Sequence, residues 1–189
     1  MNTQAPLSAP YVVSLCNELA PGATPLVVNC DPQHDAKAND CFALVDRFVQ
    51  SRGGERVIGW ALWEMPNVLL EAEFHAVWRR PTDGILVDLN PRSLHFPHVH
   101  FLPDPSRTYE GRQVNNVRRP LCNDAKVKQF IYLKNRQFEL ANAGDLANYL
   151  GVVTADMVSP RWRKDYNAIV RQLNSLTPAL NRIAISRQS

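Results

Sequence analysis

The sequence predicts an α+β fold in which one helix packs on an antiparallel β meander and further helices follow. Three β-rich runs succeed one another between residues 55 and 90 with only turn residues between them, and helical stripes lie before and after that block, not alternating with it. Segregated strands and helices of this kind argue against a doubly wound parallel sheet. At 189 residues and 45% hydrophobic content the chain can bury a full core, and its length predicts a single domain over residues 1–189.

Residues 1–38 contain Pro6, Pro10, Pro21, Pro25 and Pro32, which break any long helix and leave extended pieces such as "PLVVNC". This segment reads as a wrap-around N-terminal arm. Residues 39–102 read as the helix-plus-sheet core. In "NDCFALVDRFVQSRGG" the apolar residues Phe42, Val45, Phe48 and Val49 recur at helical spacing, Asn39 or Asp40 caps the start, and Gly53-Gly54 ends it. Cys41 then falls in the first turn of that helix.

The strand runs are "ERVIGWALWE", "VLLEAEFHAVWRR" and "GILVDLN", separated by "MPN" and "PTDG". Strand side chains alternate, so Glu71, Glu73, His75 and Val77 share one face of the second run and Ala72, Phe74, Ala76 and Trp78 share the other. His75 is therefore expected opposite the apolar face. "HVHFLPD" is a fourth strand candidate, followed by a polar, Arg-containing loop over residues 103–120. Residues 121–189 read as C-terminal helices: one capped by Asn123 or Asp124 with a stripe of Val127, Phe130, Ile131, Phe138 and Ala141, and one near 161–176 built on Trp162, Tyr166, Ile169, Val170 and Leu173.

Charge is mild overall, at a formal +3. The basic excess is local: six Lys or Arg against one acid from Met157 onward. Basic and aromatic residues are not interleaved in a nucleic-acid-binding motif, so the last helix reads as amphipathic with a solvated basic face, and no nucleic-acid partner is expected. No run approaches the roughly 20 apolar residues of a membrane-spanning helix, and "MNTQAPLSAPYVVSLCNELA" lacks the basic start of a secretory leader. Four scattered cysteines form neither a disulfide framework nor a paired zinc motif. A reduced, cytoplasmic protein without membrane partners is the expectation.

A cysteine at a helix start, a histidine on a following strand and an aspartate on the next strand can supply what a thiol nucleophile needs. The thiolate is favoured by the helix N-terminus and by an adjacent imidazolium, and a third group holds the tautomer of the base. Cys41, His75 and Asp88 stand in that order, 34 and 13 residues apart.

The segments "DCFALVDRFVQSRGGERVIGW", "FHAVW" and "GILVDLNP" resemble the core of the transglutaminase-like, papain-like-fold cysteine enzyme superfamily over residues 39–91. The resemblance differs from the usual pattern in Val77, between Ala76 and Trp78, and in Asn90, where Thr is usual. It implies a cysteine hydrolase or acyltransferase acting on an amide or ester, with Cys41 as nucleophile, His75 as general base and later acid, and Asp88 as orienter. Asn39, Trp60 and Glu73 are the residues expected around the substrate, which would be a protein, a peptide or a small amide. No cofactor and no metal are required.

Each assignment has a structural competitor. Cys41 can be a small buried hydrophobe, His75 a satisfied structural histidine, Asp88 a turn cap before Asn90-Pro91, and Glu71 and Glu73 solvated strand residues. Trp60, Trp63 and Trp78 suit a core, with Trp60 the one placed at a cleft wall. His95, His98 and His100 form a second cluster. His98 and His100 share a strand face, and with His75 and Glu73 or Asp88 they could complete a zinc set. The rival functions are thus a non-catalytic binding module of the same fold and a histidine-based metal enzyme.

Overall fold

The structure, a computed structural model, describes residues 3–33, 36, 40–149 and 153–186. Its elements run β1 (Thr3–Gln4), α1 (Pro10–Leu19), β2 (Leu26–Cys30), α2 (Cys41–Arg52), β3 (Glu55–Met65), β4 (Leu69–Arg79), β5 (Leu86–Asp88), β6 (His98–Pro103), β7 (Val117–Pro120), α3 (Ala125–Ala141) and α4 (Pro160–Ser186). The fold is mixed α+β.

Strands β3 and β4 pair across the turn at residues 66–68, where Asn67 takes the left-handed conformation with φ 60°. β5 then pairs antiparallel with β4, in the register Trp78↔Val87 and Arg79↔Leu86. So far this is the expected meander. It does not stay open. β2, from the segment expected to be an arm, lies parallel to β5 with Cys30 beside Asp88 and antiparallel to β6 with Val28 beside Val99. β6 in turn pairs with β3, with Trp60 beside Leu102. The ring β3-β6-β2-β5-β4 returns to β3, so the sheet closes on itself like a five-stranded barrel. Closure removes the free edges that an open meander would present.

The closed sheet has an inside and an outside, and both are apolar. Val28, Ala61, Trp63, Val77, Val99 and Phe101 fill the inside. Outside, α2 lies on β4 and β5, with Cys41, Leu44 and Val45 packed on Ala76, Trp78, Val87 and Leu89. Asp40 is the N-cap residue of α2 but makes no side-chain cap, Asn39 lies outside the described residues, and Gly53 ends the helix with φ 73° as its spacing predicts. The indole of Trp78 donates to the Gly53 carbonyl at 2.9 Å, fixing the helix end to β4.

Local proline chemistry explains why the arm is not an arm. Pro10 occupies the first turn of α1, where its missing N–H has no partner to lose, and Val12, Leu15 and Cys16 at helical spacing are buried. The ten-residue α1 is therefore compatible with the proline content that argues against long helices.

Packing divides the chain into two compact units: Gln4–Trp63 with Ala72–Thr108, and a second comprising Glu64–Glu71 and the chain from Tyr109 onward. In the second unit, Met65, Val68 and Leu69 pack with Val127 of α3 and with Leu180 and Ala184 of α4, and Leu133 packs with Leu173 and Leu176. Asp124 caps α3, its carboxylate accepting from the Lys126 N–H at 2.7 Å. α4 continues ten residues past the predicted end and contains Pro178, because its buried stripe, Leu173, Leu176, Leu180 and Ala184, runs through the proline. The segment expected to be a loop over 103–120 ends in β7, which pairs with β4.

One contact tests the closure. A Cβ on Gly59 would sit 2.1 Å from the Leu102 carbonyl and 2.7 Å from the Phe101 ring, both on β6. Gly59→Ala is expected to lower the urea midpoint by the equivalent of about 1–3 kcal/mol, whereas Gly22→Ala, with nothing near its Cβ, costs only the strain of its positive φ. Equal unfolding midpoints for Gly59→Ala and wild type would contradict the β3–β6 closure.

Candidate active site

The closed sheet determines where His75 points. Val77, two residues along β4, lies inside with Phe101, and the His75 ring stands at 71° to Phe101 with centroids 6.5 Å apart. His75 therefore faces the barrel interior and is 0% exposed. The sequence placed it opposite the apolar face; both faces of β4 are in fact buried, because one is covered by α2 and the other by the opposing strands.

Asp88 ends β5 and is also 0% exposed. The β4–β5 register places it beside Val77, one same-face step from His75, and His75 Nε2 meets Asp88 Oδ1 at 3.0 Å. The Asn90 N–H donates to the same oxygen at 3.1 Å. The second oxygen, Oδ2, accepts from Arg92 Nη1 and lies 4.0 Å from the Cys30 thiol. The other Arg92 nitrogen, Nη2, stands 3.4 Å from His75 Nε2.

With Nε2 committed to Asp88, the imidazole has one nitrogen left. Nδ1 is buried and has no hydrogen-bond partner of ordinary geometry, and the Cys41 thiol acts on the ring through charge and hydrogen bonding. Cys41 opens α2 and is 7% exposed. The neutral ring then takes one tautomer: Nε2–H donates to the carboxylate and Nδ1 keeps its lone pair for the thiol.

The electrostatics follow from burial and from these partners. Burial, the largest influence on His75, pulls its pKa down. The Asp88 charge and the Cys41 thiol, with their hydrogen bonds, outweigh burial and hold it well above the usual histidine range. Burial pushes the Asp88 carboxyl up, but His75, Arg92 and the Asn90 N–H hold it down at about 2. Burial and the neighbouring carboxylate raise the Cys30 thiol to about 11, with Arg92 opposing, so Cys30 remains a protonated donor beside Asp88.

The residues expected around a substrate are not assembled there. Trp60 is 1% exposed, and its indole donates to Asp104 at 2.9 Å while its ring packs on Phe74; it belongs to the core instead of a cleft wall. Glu73 accepts from the Trp63 indole at 2.7 Å. Asn39 lies outside the described residues. Glu71 is engaged in the second unit by Arg118 at 2.7 Å and Asn116 at 2.8 Å.

The histidine cluster separates from His75 by strand alternation. Val99 and Phe101 point into the barrel, so His98 and His100 point out. Their rings stack 5.6 Å apart, and His100 Nδ1 meets the Ala5 carbonyl at 2.7 Å. His95 is exposed on the loop before β6. Among the described residues, no three His, Cys, Asp or Glu side chains are grouped to hold a metal ion, and no helix is long and apolar enough to cross a membrane.

Two participants escaped the sequence reading. Arg92 lies only four residues after Asp88, a spacing that flags it once Asp88 is known to need a second partner. Cys30 carries no local signal, since it reaches Asp88 only through the parallel β2–β5 pairing. Comparison with known proteins finds no matching family model, no significantly similar curated protein and no significantly similar solved structure.

Asp88→Asn should lower the His75 titration midpoint measured by nuclear magnetic resonance and destabilise the fold by about 3–5 kcal/mol at pH 6, since His75 and Arg92 would lose their buried counter-charge. The sign fixes the pH window. A raised folded pKa contributes stability in full below the unfolded value of about 6.5, and that contribution disappears as pH rises through the folded value. The stability gap between wild type and Asp88→Asn should therefore narrow toward alkaline pH in urea titrations.

Proposed function

We propose that this chain is a cysteine-dependent hydrolase or acyltransferase that acts on an amide or ester carbonyl through Cys41, His75 and Asp88, with the transglutaminase-like, papain-like arrangement that its sequence resembles. The observation that carries this reading is the division of one imidazole: Nε2 is held by a buried carboxylate at 3.0 Å, and the unpartnered Nδ1 is left for a thiol at a helix start.

The chemistry that fits is acyl transfer. The proton shared between the Cys41 sulfur and His75 lies on the imidazole as the thiolate attacks the carbonyl carbon. The positive N-terminal end of the α2 dipole favours a developing oxyanion nearby. His75 returns the proton to the leaving amine or alcohol as its bond to the acyl carbon breaks, leaving a thioester on Cys41. Water or an amine then attacks the thioester while His75 takes the attacking group's proton and gives it back to the sulfur. Asp88 stays ionised throughout, as its depressed pKa requires. All four cysteines are free thiols, and a reducing cytoplasm would suit a mechanism that depends on one of them.

The depth of the site favours a second reading. With His75 and Asp88 wholly buried and Cys41 nearly so, a non-catalytic binding module of the same fold would keep this constellation for its charge pairing alone. Thiol alkylation separates the two. In the enzyme, Cys41 should react below pH 7 at least roughly tenfold faster than Cys16, Cys30 and Cys122, and His75→Ala should remove that advantage. Cys41→Ala should abolish turnover of the amide or ester substrates found by screening. Uniformly slow labelling of all four thiols would favour the binding module.

A further inference from the structure

We propose that Arg92 is a positioning residue for His75: by taking a share of Asp88 and standing against the ring, its guanidinium limits how tightly the buried carboxylate makes the imidazole hold its proton. This rests on the Cys41 reading above, but its test does not depend on turnover.

The geometry is specific. Arg92 Nη1 bonds Asp88 Oδ2 and also donates to the Asn90 carbonyl at 3.3 Å. Nη2 lies 3.4 Å from His75 Nε2, and the guanidinium sits over the Trp63 ring at 5.1 Å. Trp63 is in turn fixed by Glu73 at 2.7 Å. The planar fork thus rests on an aromatic plate with one nitrogen on the carboxylate and the other at the imidazole edge.

The groups facing His75 show what this cation changes. α2 contributes the Cys41 thiol, β5 contributes Asp88, β6 the uncharged Phe101 ring, and β2 the Cys30 thiol on the far side of Asp88. Glu73, on the same strand, is occupied by Trp63. Within this set Arg92 carries the fixed positive charge. A buried carboxylate favours the imidazolium form of the ring it pairs with. A second cation on the same carboxylate opposes that outcome, and it leaves the Asp88 orientation intact because Oδ1 keeps both His75 and the Asn90 N–H.

The experiment is a nuclear magnetic resonance titration of His75 in wild type, Arg92→Gln, Arg92→Met and Arg92→Lys, with thermal melts to identify the folded variants. Gln keeps a donor for Asp88 and Met keeps the packing on Trp63, so each reads the loss of charge on its own. The His75 midpoint should rise by about one pH unit in either neutral variant and remain near wild type in Arg92→Lys. An unchanged or lowered midpoint in a folded neutral variant overturns the proposal. If neither neutral variant folds, Arg92→Lys decides: a midpoint within a few tenths of a unit of wild type supports a charge effect, and a larger displacement overturns it. Cys41 alkylation in the wild-type protein is the separate arm. Slow labelling there removes the catalytic reading and leaves the Arg92 result standing on its own.

Discussion

A carboxylate completely removed from water must be shared among donors and cations, and the first unit is organised around the sharing of Asp88. His75, Arg92 and the Asn90 N–H converge on its two oxygens, His75 arriving from β4 and the other two from the segment that follows β5. Such convergence is achieved only where β4, β5 and the segment after β5 are held together, which is the work of the closed sheet. The dependence runs both ways. Closing the ring buries the aspartate, and an unpaired aspartate at that depth would cost more than a strand pairing returns. Paired, it adds little net stability over an apolar residue of the same volume, so its presence at 0% exposure makes more sense as the tuning of His75 than as a device for folding.

The second unit handles buried charge differently. Glu71 is met by Arg118 and Asn116, and burial, opposed by Glu71 and reinforced by Arg118, lowers the pKa of Lys134. Here the pairing closes around one acid with amide groups at its margin, Asn115 bonding Asn135 at 3.1 Å, and no thiol takes part. The contrast is useful: burial and a carboxylate recur in both units, but a nucleophile candidate beside a histidine occurs in the first.

The sequence disclosed what depends on neighbours along the chain. The start of α2 at Cys41, its end at Gly53, the cap on α3 at Asp124 and the alternation that sets His75 beside Val77 are all local consequences of residue type and spacing. The order Cys41, His75, Asp88 was legible for the same reason. What was not legible depends on pairing across distance. Nothing in "PLVVNC" announces that β2 will insert between β5 and β6, since a short, mostly apolar run suits many strands. Without that insertion the sheet reads as an open meander, His75 reads as half exposed, and Cys30 has no reason to approach Asp88. Trp60 illustrates the related failure of assigning a side chain from composition: its indole needed a partner, and the partner is Asp104, 44 residues away. The stripe of α4 shows the opposite error, a helix expected near 161–176 that continues to Ser186 because burial carries on through both sides of Pro178.

The membership of Cys41 in the apolar cluster with Leu44, Val45, Ala76 and Leu89 bears on how its thiol can be removed for study. Serine, the usual isosteric replacement for a thiol, would bring a hydroxyl into a neighbourhood of methyl groups and beside an imidazole nitrogen that has no other partner. A hydroxyl there competes for the ring that the substitution was meant to leave untouched. Alanine removes the sulfur without adding a donor. Its cost is a small void, so the thiol-free form that leaves the ring undisturbed is the one that packs slightly worse, not the one that looks most like the original.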